Sequence, residues 1–572
     1  MTMSSSSVDY SDLSGSENDF SGFSSDEIPN LFNNDAFNDE VSEIMSSDID
    51  IEMSSDSSDT DEDQPSWLAD VQDIDRSPFT ERSGPSHILQ ETASEQEYFQ
   101  LYFPVSLFEK IVSETNKFAT EQNMDHDIID VNWTETSVPE ISAFLGILIL
   151  MGIIKAPDYS FYWSNDNFLS NEGIKNVMPR RRFEKLLQYF HLNDDNTNFP
   201  ADHPNHDKLH KIRPILDQVL ENIEKAYKPR QHQTIDEGMI AFKGRHKAKQ
   251  YLPSKPIKWG LKVWMRCDSL SGFCHQFEFY QGKEDKDEVN ESMKGLGYRV
   301  VQKLTMPLRG KFFHVYFDNF FTSIRLIRSL FRHGIYACGT MRKNRKGFPE
   351  DFKYPPYMEQ GDHLIKQDGN LTATLWKDKK PVTVLSTAAD PTIIGTANRK
   401  QKDGTVQLIN CPKAVTNYQQ YYRGVDLCDQ LRAKYPVGRS SKKWWRYMFH
   451  FIINICIING FITMVESHPE SQGRRKRFRQ LDFRINLAKQ LIGSFKSRKV
   501  TTQRTSVAPV TQANIETHRL QTLKRKKSTC KYCTKHGEKR RKETKIGCVI
   551  CNVHLCCIEC HSMFHQNMIV EE

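Results

Sequence analysis

The sequence predicts an α/β core flanked by helical segments and followed by a small metal-binding module. Three observations predict it. The apolar period shortens from three or four residues to two at about residue 233, and helical text returns after residue 408. Strand text, a polar residue and helical text succeed one another in KFFHVYFDNF and TSIRLIRSLFRHG, the order of an α/β unit. Seven of the 13 cysteines fall between Cys530 and Cys560, while the other six show no pairing pattern. Such a cluster suggests metal rather than disulfides.

The 572 residues, 38% hydrophobic and 11% aromatic, allow three or four domains with a sizeable core. Residues 1–90 are rich in Ser, Asp, Glu and Asn, as in SSDSSDTDED, and too poor in apolar groups to offset chain entropy. A disordered acidic tail is expected there. Its serines before acids suit an acid-directed kinase as well as they suit plain solvation. No apolar stretch follows Met1, so the start reads as the reverse of a signal peptide.

Residues 91–232 carry apolar residues at helical spacing, in YFQLYFPVSLFEKIVSETNKF, VPEISAFLGILILMGIIK, RRRFEKLLQYFHL and KLHKIRPILDQVLENIEKAY. Residues 233–340 open the sheet domain with QTIDEGMIAF, IKWGLKVWMRC and GFCHQFEFYQG, then a helix around Asp287 to Leu308. Residues 341–408 alternate basic loops with hairpin text and read as an insertion in that domain. Residues 409–436 return to the core, 437–500 to the helical layer, 501–526 form a linker and 527–572 the Cys-rich module. The apolar run Met448–Val465 contains His450, Asn454, Asn459 and Gly460, which would be costly in lipid. A buried core helix, and no membrane partner, is expected.

The formal net charge of +4 conceals two blocks of opposite sign. The first 75 residues hold 21 acids and no Lys or Arg, so a tail at −21 and a body at +25 make up the total. A body that basic suits a polyanion such as nucleic acid, through phosphate contacts that release counterions.

Four acids occupy chemically suggestive positions. Asp236 projects from strand text in QTIDEGMIAFKGR, and Asp318 ends the strand text FFHVYFDN, at the rim of a sheet. Asp426 and Asp429, three apart in RGVDLCDQL, share a helix face. Each alone reads as a cap or turn residue. Acids arriving from two strands and a helix can hold two divalent ions, and Mg²⁺ suits a few carboxylates with water and phosphate oxygens. One ion would activate the attacking oxygen and the other stabilise the leaving one. Glu237 beside Asp236, and Asp429 beside Asp426, leave the choice of ligand open.

The blocks TIDEGMIAFKGRHKAKQYLPSKPIKWGLK, YFDNFFTS, GTMRKNRKGFP and YYRGVDLCDQL, in this order, resemble the signature blocks of piggyBac-like transposases. The resemblance runs from about residue 95 to the C-terminus. It implies an RNase H-like catalytic core with an insertion domain, flanked by a helical dimerisation and DNA-binding domain and a C-terminal cross-brace zinc finger. It also implies a catalytic triad of Asp236, Asp318 and Asp426 holding two Mg²⁺, with Asp429 as a neighbouring acid that matters. The implied reaction is cut-and-paste transposition on double-stranded DNA. Terminal inverted repeats are bound and nicked, hairpins form by 3′-hydroxyl attack on the TTAA flank, and reopened ends join new TTAA targets. A nuclear homodimer is expected. The alternative is a domesticated relative that binds DNA without cutting, and a chromatin reader using the zinc module alone is a third class.

Arg342, Lys343, Arg345 and Lys346 form a basic loop in MRKNRKGFP, suited to positioning DNA by its phosphates. In SSKKWWRYM, Lys442 and Lys443 precede two Trp side chains, one of which could stack on an unpaired base. Neighbouring helical side chains point apart, so one Trp is expected in the core, and the resemblance implies Trp444 as the DNA-facing one.

The last 43 residues hold Cys530 and Cys533, then Cys548 and Cys551, as two C-x₂-C pairs, followed by Cys556, Cys557, Cys560, His561 and His565. That pattern is a strong zinc signal. Two Zn²⁺ in a cross-brace are expected, with Cys556, Cys560 and His565 completing most of the shell as in the resembling family. His536, His554 and His561 compete for the eighth ligand. LKRKKS at Leu523–Ser528 and KRRK at Lys539–Lys542 suit nuclear localisation and phosphate binding equally.

Overall fold

A computed structural model describes residues 65–497 and 518–570, apart from 126–129, 131, 254, 283–294, 344, 354, 356, 401–403, 469–478, 524–525, 536–542 and 552. The chain divides into two compact units, Met1–Lys496 and Ser497–Glu572.

In the first unit the helical layer is built from both ends of the chain. Helices Val105–Asp125, Val138–Ile153, Arg180–Tyr189 and Arg213–Ala226 precede the sheet, and Trp444–Ser467 and Gln480–Ile492 follow it. The two groups share one apolar core containing Phe103, Phe144, Leu148, Ile452, Ile455 and Leu487. Side-chain bonds also join them: Glu95 accepts from Asn486 at 2.8 Å and from Gln490 at 2.7 Å. Helix Trp444–Ser467 is long and apolar enough to cross a membrane by length and composition, yet its apolar side chains are buried in this core. Its polar Asn459 has a structural use. The amide bonds the Cys274 backbone on both sides, at 3.0 and 2.8 Å, and fastens the helix to the sheet without an unsatisfied group.

The main sheet has nine strands: β1 (His232–Ala241), β2 (Lys249–Tyr251), β3 (Trp259–Asp268), β4 (Cys274–Phe279), β5 (His314–Phe317), β6 (Tyr336–Thr340), β7 (His363–Asp368), β8 (Leu371–Lys377) and β9 (Pro381–Ser386). The order is β2-β3-β1-β5-β6-β9-β8-β7, with β4 also paired to β3. β4, β3 and β1 run antiparallel, and β5 and β6 then run parallel to β1. Parallel pairing requires crossovers, supplied by helices Leu296–Thr305 and Ile324–Arg332. The latter starts sharply because Ser323 Oγ accepts from Leu326 N–H at 3.2 Å. The helix expected around Asp287 to Leu308 thus covers Leu296–Thr305 and a 3₁₀ turn to Leu308; its expected start lies outside the described residues.

The hairpin text of 341–408, expected as an insertion in the sheet domain, adds three strands to the main sheet. β7, β8 and β9 extend the main sheet from the free edge of β6, through Val384↔Thr340 to Ser386↔Cys338, and a separate two-stranded ribbon, Ile394–Lys400 with Val406–Pro412, follows. Pairing on that edge satisfies backbone groups otherwise exposed. The tail expected to be disordered to residue 90 is ordered from Pro65. Leu68 pairs with Gln367, the Trp67 indole N–H donates to Gly347 O at 2.8 Å, and Phe79 packs edge-on against Phe313. Ile74, 2% exposed, completes a small set of apolar anchors. The rest of the acidic tail lies outside the described residues.

The second unit is a small module. Strands Leu520–Thr522, Ile546–Cys548 and Val553–His554 form one sheet, and helix Ile558–Val570 closes it. Its first strand lies within the stretch read as a linker.

Candidate active site and metal module

The sheet register brings the first two acids side by side. β1 and β5 pair in parallel from His232↔His314 to Ile235↔Phe317. The next positions are Asp236 and Asp318, on neighbouring strands that are about 4.8 Å apart in any sheet. Asp318 leaves its strand into a fixed turn: its carboxylate accepts from Phe320 N–H at 2.9 Å, and its carbonyl accepts from Thr322 Oγ1 at 2.8 Å.

Helix Gly424–Lys434 brings the third acid. Side chains on a strand alternate, so Thr234, Asp236 and Gly238 share the face on which this helix lies. At its start, Gly424 N–H donates to Thr234 Oγ1 at 3.2 Å, and a Cβ on Gly424 would fall 2.6 Å from Asp268 O. Only glycine allows that approach, which seats Asp426 over Asp236. Further along, Asp429 reaches Gly238, where a Cβ would lie 3.4 Å from its Oδ1. Asp429 is engaged elsewhere, however: Arg432 binds its carboxylate at 2.8 Å and the Met239 carbonyl at 2.8 Å. It ties the helix to β1.

Burial and mutual repulsion dominate the electrostatics. Asp318 is pushed up to about 8, by burial first and then by Asp236 and Glu237. Asp426 is pushed up to about 6, by burial first and then by Asp236. Burial raises Glu237 and Asp429 as well. A positive charge placed among carboxyl groups buried together would relieve this repulsion. One cation is already present. Lys255, in the loop between β2 and β3, lies 3.3 Å from Asp236 Oδ2 and 3.3 Å from the Glu237 carbonyl.

Among the described residues, the sets of three or more donors mutually within 4.8 Å lie in the C-terminal module, so the acids stand wider than a closed shell. Oxygen donors alone, in an open arrangement, fit a hard divalent ion that retains water and takes phosphate oxygens.

The basic loop adjoins this site. Arg345 donates to the carbonyls of Asn319 and Phe320 at 3.1 and 3.2 Å, and Arg342 to the Asn319 side chain at 3.3 Å. Arg342 and Lys346 are exposed, and Lys343 is half-buried. The loop is thereby pinned to the turn that follows Asp318. Of the two Trp side chains, Trp445 is 3% exposed and stacks on Phe190, whereas Trp444 is half-buried beside His246. Lys442 is exposed. Lys443 packs its ammonium 5.8 Å from the Phe118 ring, and burial lowers it to about 8.

In the C-terminal module the donors gather into two sets of four, Cys530, Cys533, Cys556 and Cys560, and His518, Cys548, Cys551 and His565. Sulfur separations of 3.7, 3.6 and 3.5 Å in the first approach the ~3.8 Å edge of a tetrahedron with ~2.3 Å zinc–sulfur bonds. In the second, His518 Nδ1 lies 3.4 Å from Cys548, 3.2 Å from Cys551 and 3.0 Å from His565 Nε2. His565 Nδ1 bonds the His561 carbonyl at 2.6 Å, which leaves Nε2 free to ligate. The sets interleave along the chain, as a cross-brace requires. The eighth position is a correction: His518 fills it. His554 Nε2 and His561 Nε2 are buried without a partner and join neither set, and His536 lies outside the described residues. So do Lys539–Lys542, Lys524 and Arg525.

Paired acids where antiparallel strands meet parallel ones, beside a basic loop, could hold a divalent ion next to phosphate groups. Residues 94–461 match the family described as Transposase IS4, and the chain belongs to that family. Its relatives are of piggyBac type. The chain is 27% identical over 439 residues to PiggyBac transposable element-derived protein 5 of Homo sapiens, covering 75% of this chain and 81% of that protein. It is 29% identical over 376 residues to PiggyBac transposable element-derived protein 3 of Homo sapiens, across 64% of this chain and 60% of that one. A cryo-EM structure of a piggyBac transposase synaptic complex with hairpin DNA superposes with a TM-score of 0.63 at 28% identity, over 74% of this chain and 86% of the other.

Proposed function

We propose that this chain is a cut-and-paste transposase that binds terminal inverted repeats, cleaves through hairpin intermediates and joins 3′-hydroxyl ends at TTAA targets. The observation carrying this reading is the convergence of Asp236, Asp318 and Asp426 at one point of the sheet, next to the pinned basic loop. Three antiparallel strands continued by two parallel ones support an RNase H-like core. The three acids would hold two Mg²⁺, which when bound supply charge stabilisation for phosphoryl transfer. The chain's own groups do the rest. Asp429 and Arg432 orient the helix carrying Asp426, and Arg342 and Lys346 hold DNA by its backbone. Trp444 would cover the cleaved end while Trp445 anchors the helix. Two Zn²⁺ would organise the C-terminal module, whose basic flanks suit DNA and a nuclear address. The protein would act as a homodimer. Nicking of TTAA-flanked element ends, supercoiled and in Mg²⁺, tests the reading.

A second reading, a domesticated DNA-binding protein, draws on the transposable element-derived relatives. The intact acids favour cutting, because a binding-only protein gains nothing from carboxylates that repel phosphate.

A further inference from the structure

Lys255 has no place in the triad, yet it holds the most telling position around it. Its ammonium lies 3.3 Å from Asp236 Oδ2 and 3.3 Å from the Glu237 carbonyl, with a side chain about one quarter exposed. The loop that carries it is tied back on itself. Leu252 N–H donates to Lys258 O at 2.8 Å, Lys255 N–H to Leu252 O at 3.3 Å, and prolines occupy positions 253 and 256. The nearby Lys262 is differently committed, its ammonium 4.3 Å from the Trp264 ring and 5.2 Å from that of Phe320. A flexible surface lysine would not be held by two bonds over the first acid of the cluster.

We propose that Lys255 is a resident counter-ion of the acid site, neutralising Asp236 while no divalent ion is bound and moving to a non-bridging oxygen of the bound DNA phosphate when one is. It is thus a further active-site residue of the transposase reaction, and the inference rests on the acid cluster being a divalent-metal site. Two consequences follow from the geometry. A unit charge this close to Asp236 competes with an incoming ion for the same oxygen, so losing it strengthens ion binding. The same charge is lost from the DNA-bound state, so cleavage weakens. A residue that only supported the loop would weaken both.

The test uses the full zinc-loaded chain without DNA, titrated with Mg²⁺ and with Ca²⁺, hard ions that leave thiolate sites alone. Lys255→Met and Lys255→Gln are expected to bind both ions at least about tenfold tighter than the unaltered chain, given the strength of a charge at intermediate dielectric. Lys255→Arg is expected to bind as the unaltered chain does. With TTAA-flanked DNA, the two neutral variants are expected to cut at least about a hundredfold more slowly at saturating Mg²⁺. Thermal melting covers the case of poor folding: a melting point depressed without ion and restored by Mg²⁺ supports the proposal, and one depressed equally at all Mg²⁺ concentrations overturns it. Unchanged or weaker ion binding by folded neutral variants also overturns it. An unaltered chain that binds no ion, or binds it equally after Asp318→Ala, overturns the acid-site reading and this inference together.

Discussion

Replacing His518 by Ala tests the metal module at the position where spacing and structure part company. In the structure its Nδ1 faces Cys548 at 3.4 Å, Cys551 at 3.2 Å and His565 at 3.0 Å, completing a four-donor set. A structural zinc ion contributes ~10–16 kcal/mol of apparent binding free energy. Divided over four ligands, the loss of one costs ~2.5–4 kcal/mol, or roughly seventy- to a thousandfold in affinity. The Cys530, Cys533, Cys556 and Cys560 set shares no ligand with it and keeps its ion. Zinc measured by elemental analysis, after dialysis against a weak chelator, is expected to fall from two to one per chain in His518→Ala. His554→Ala and His561→Ala are expected to retain two. Two zinc ions in the His518 variant, or one in either control, would refute the assignment.

Trp445→Ala removes a ring 3% exposed and stacked on Phe190, so chemical denaturation should show a loss of ~3–5 kcal/mol. Trp444→Ala should change stability by under ~1 kcal/mol while weakening the binding of cleaved ends with unpaired bases; the opposite ranking would reverse their roles. For pH, Asp318 at about 8 and Asp426 at about 6 hold protons that a divalent ion must displace. Mg²⁺ affinity measured by calorimetry should therefore rise with pH up to about 8 and then level. In metal-free protein the same raised value means the native state binds more protons than the unfolded one, so stability falls as pH rises from the ordinary carboxyl range through 8. Mg²⁺ affinity flat from pH 6.5 to 8.5 would contradict the shifts.

Much of the site could be read because its chemistry is tied to local pattern. Alternation in QTIDEGMIAF and the strand ending at YFDN place Asp236 and Asp318 on a sheet, and helical spacing puts Asp426 and Asp429 on one face. Pairing between strands then fixes the rest, and register is not written locally. His518 stood outside the reading because it precedes the first cysteine by a dozen residues of basic text, with no fixed spacing to the pairs it joins. Lys255 was one cation among 77 Lys and Arg; what distinguishes it is a loop geometry that brings it back over β1. The segment from Pro65 looked like more of the acidic tail because its anchors, Trp67, Ile74 and Phe79, are spaced without helical or strand period. Residues 341–408 read as an insertion in the sheet domain, but alternation within β7 to β9 does not say which strand they pair with, and their addition to the edge of β6 is set by register.

The central claim is that Asp236, Asp318 and Asp426 together cut DNA. Its most direct measurement is strand nicking at TTAA-flanked element ends in Mg²⁺, comparing the unaltered chain with folded Asp318→Ala. The account predicts nicks and hairpin products from the unaltered chain, and a loss of at least about a thousandfold in the variant with DNA binding retained. Nicking by Asp318→Ala at the rate of the unaltered chain would contradict it.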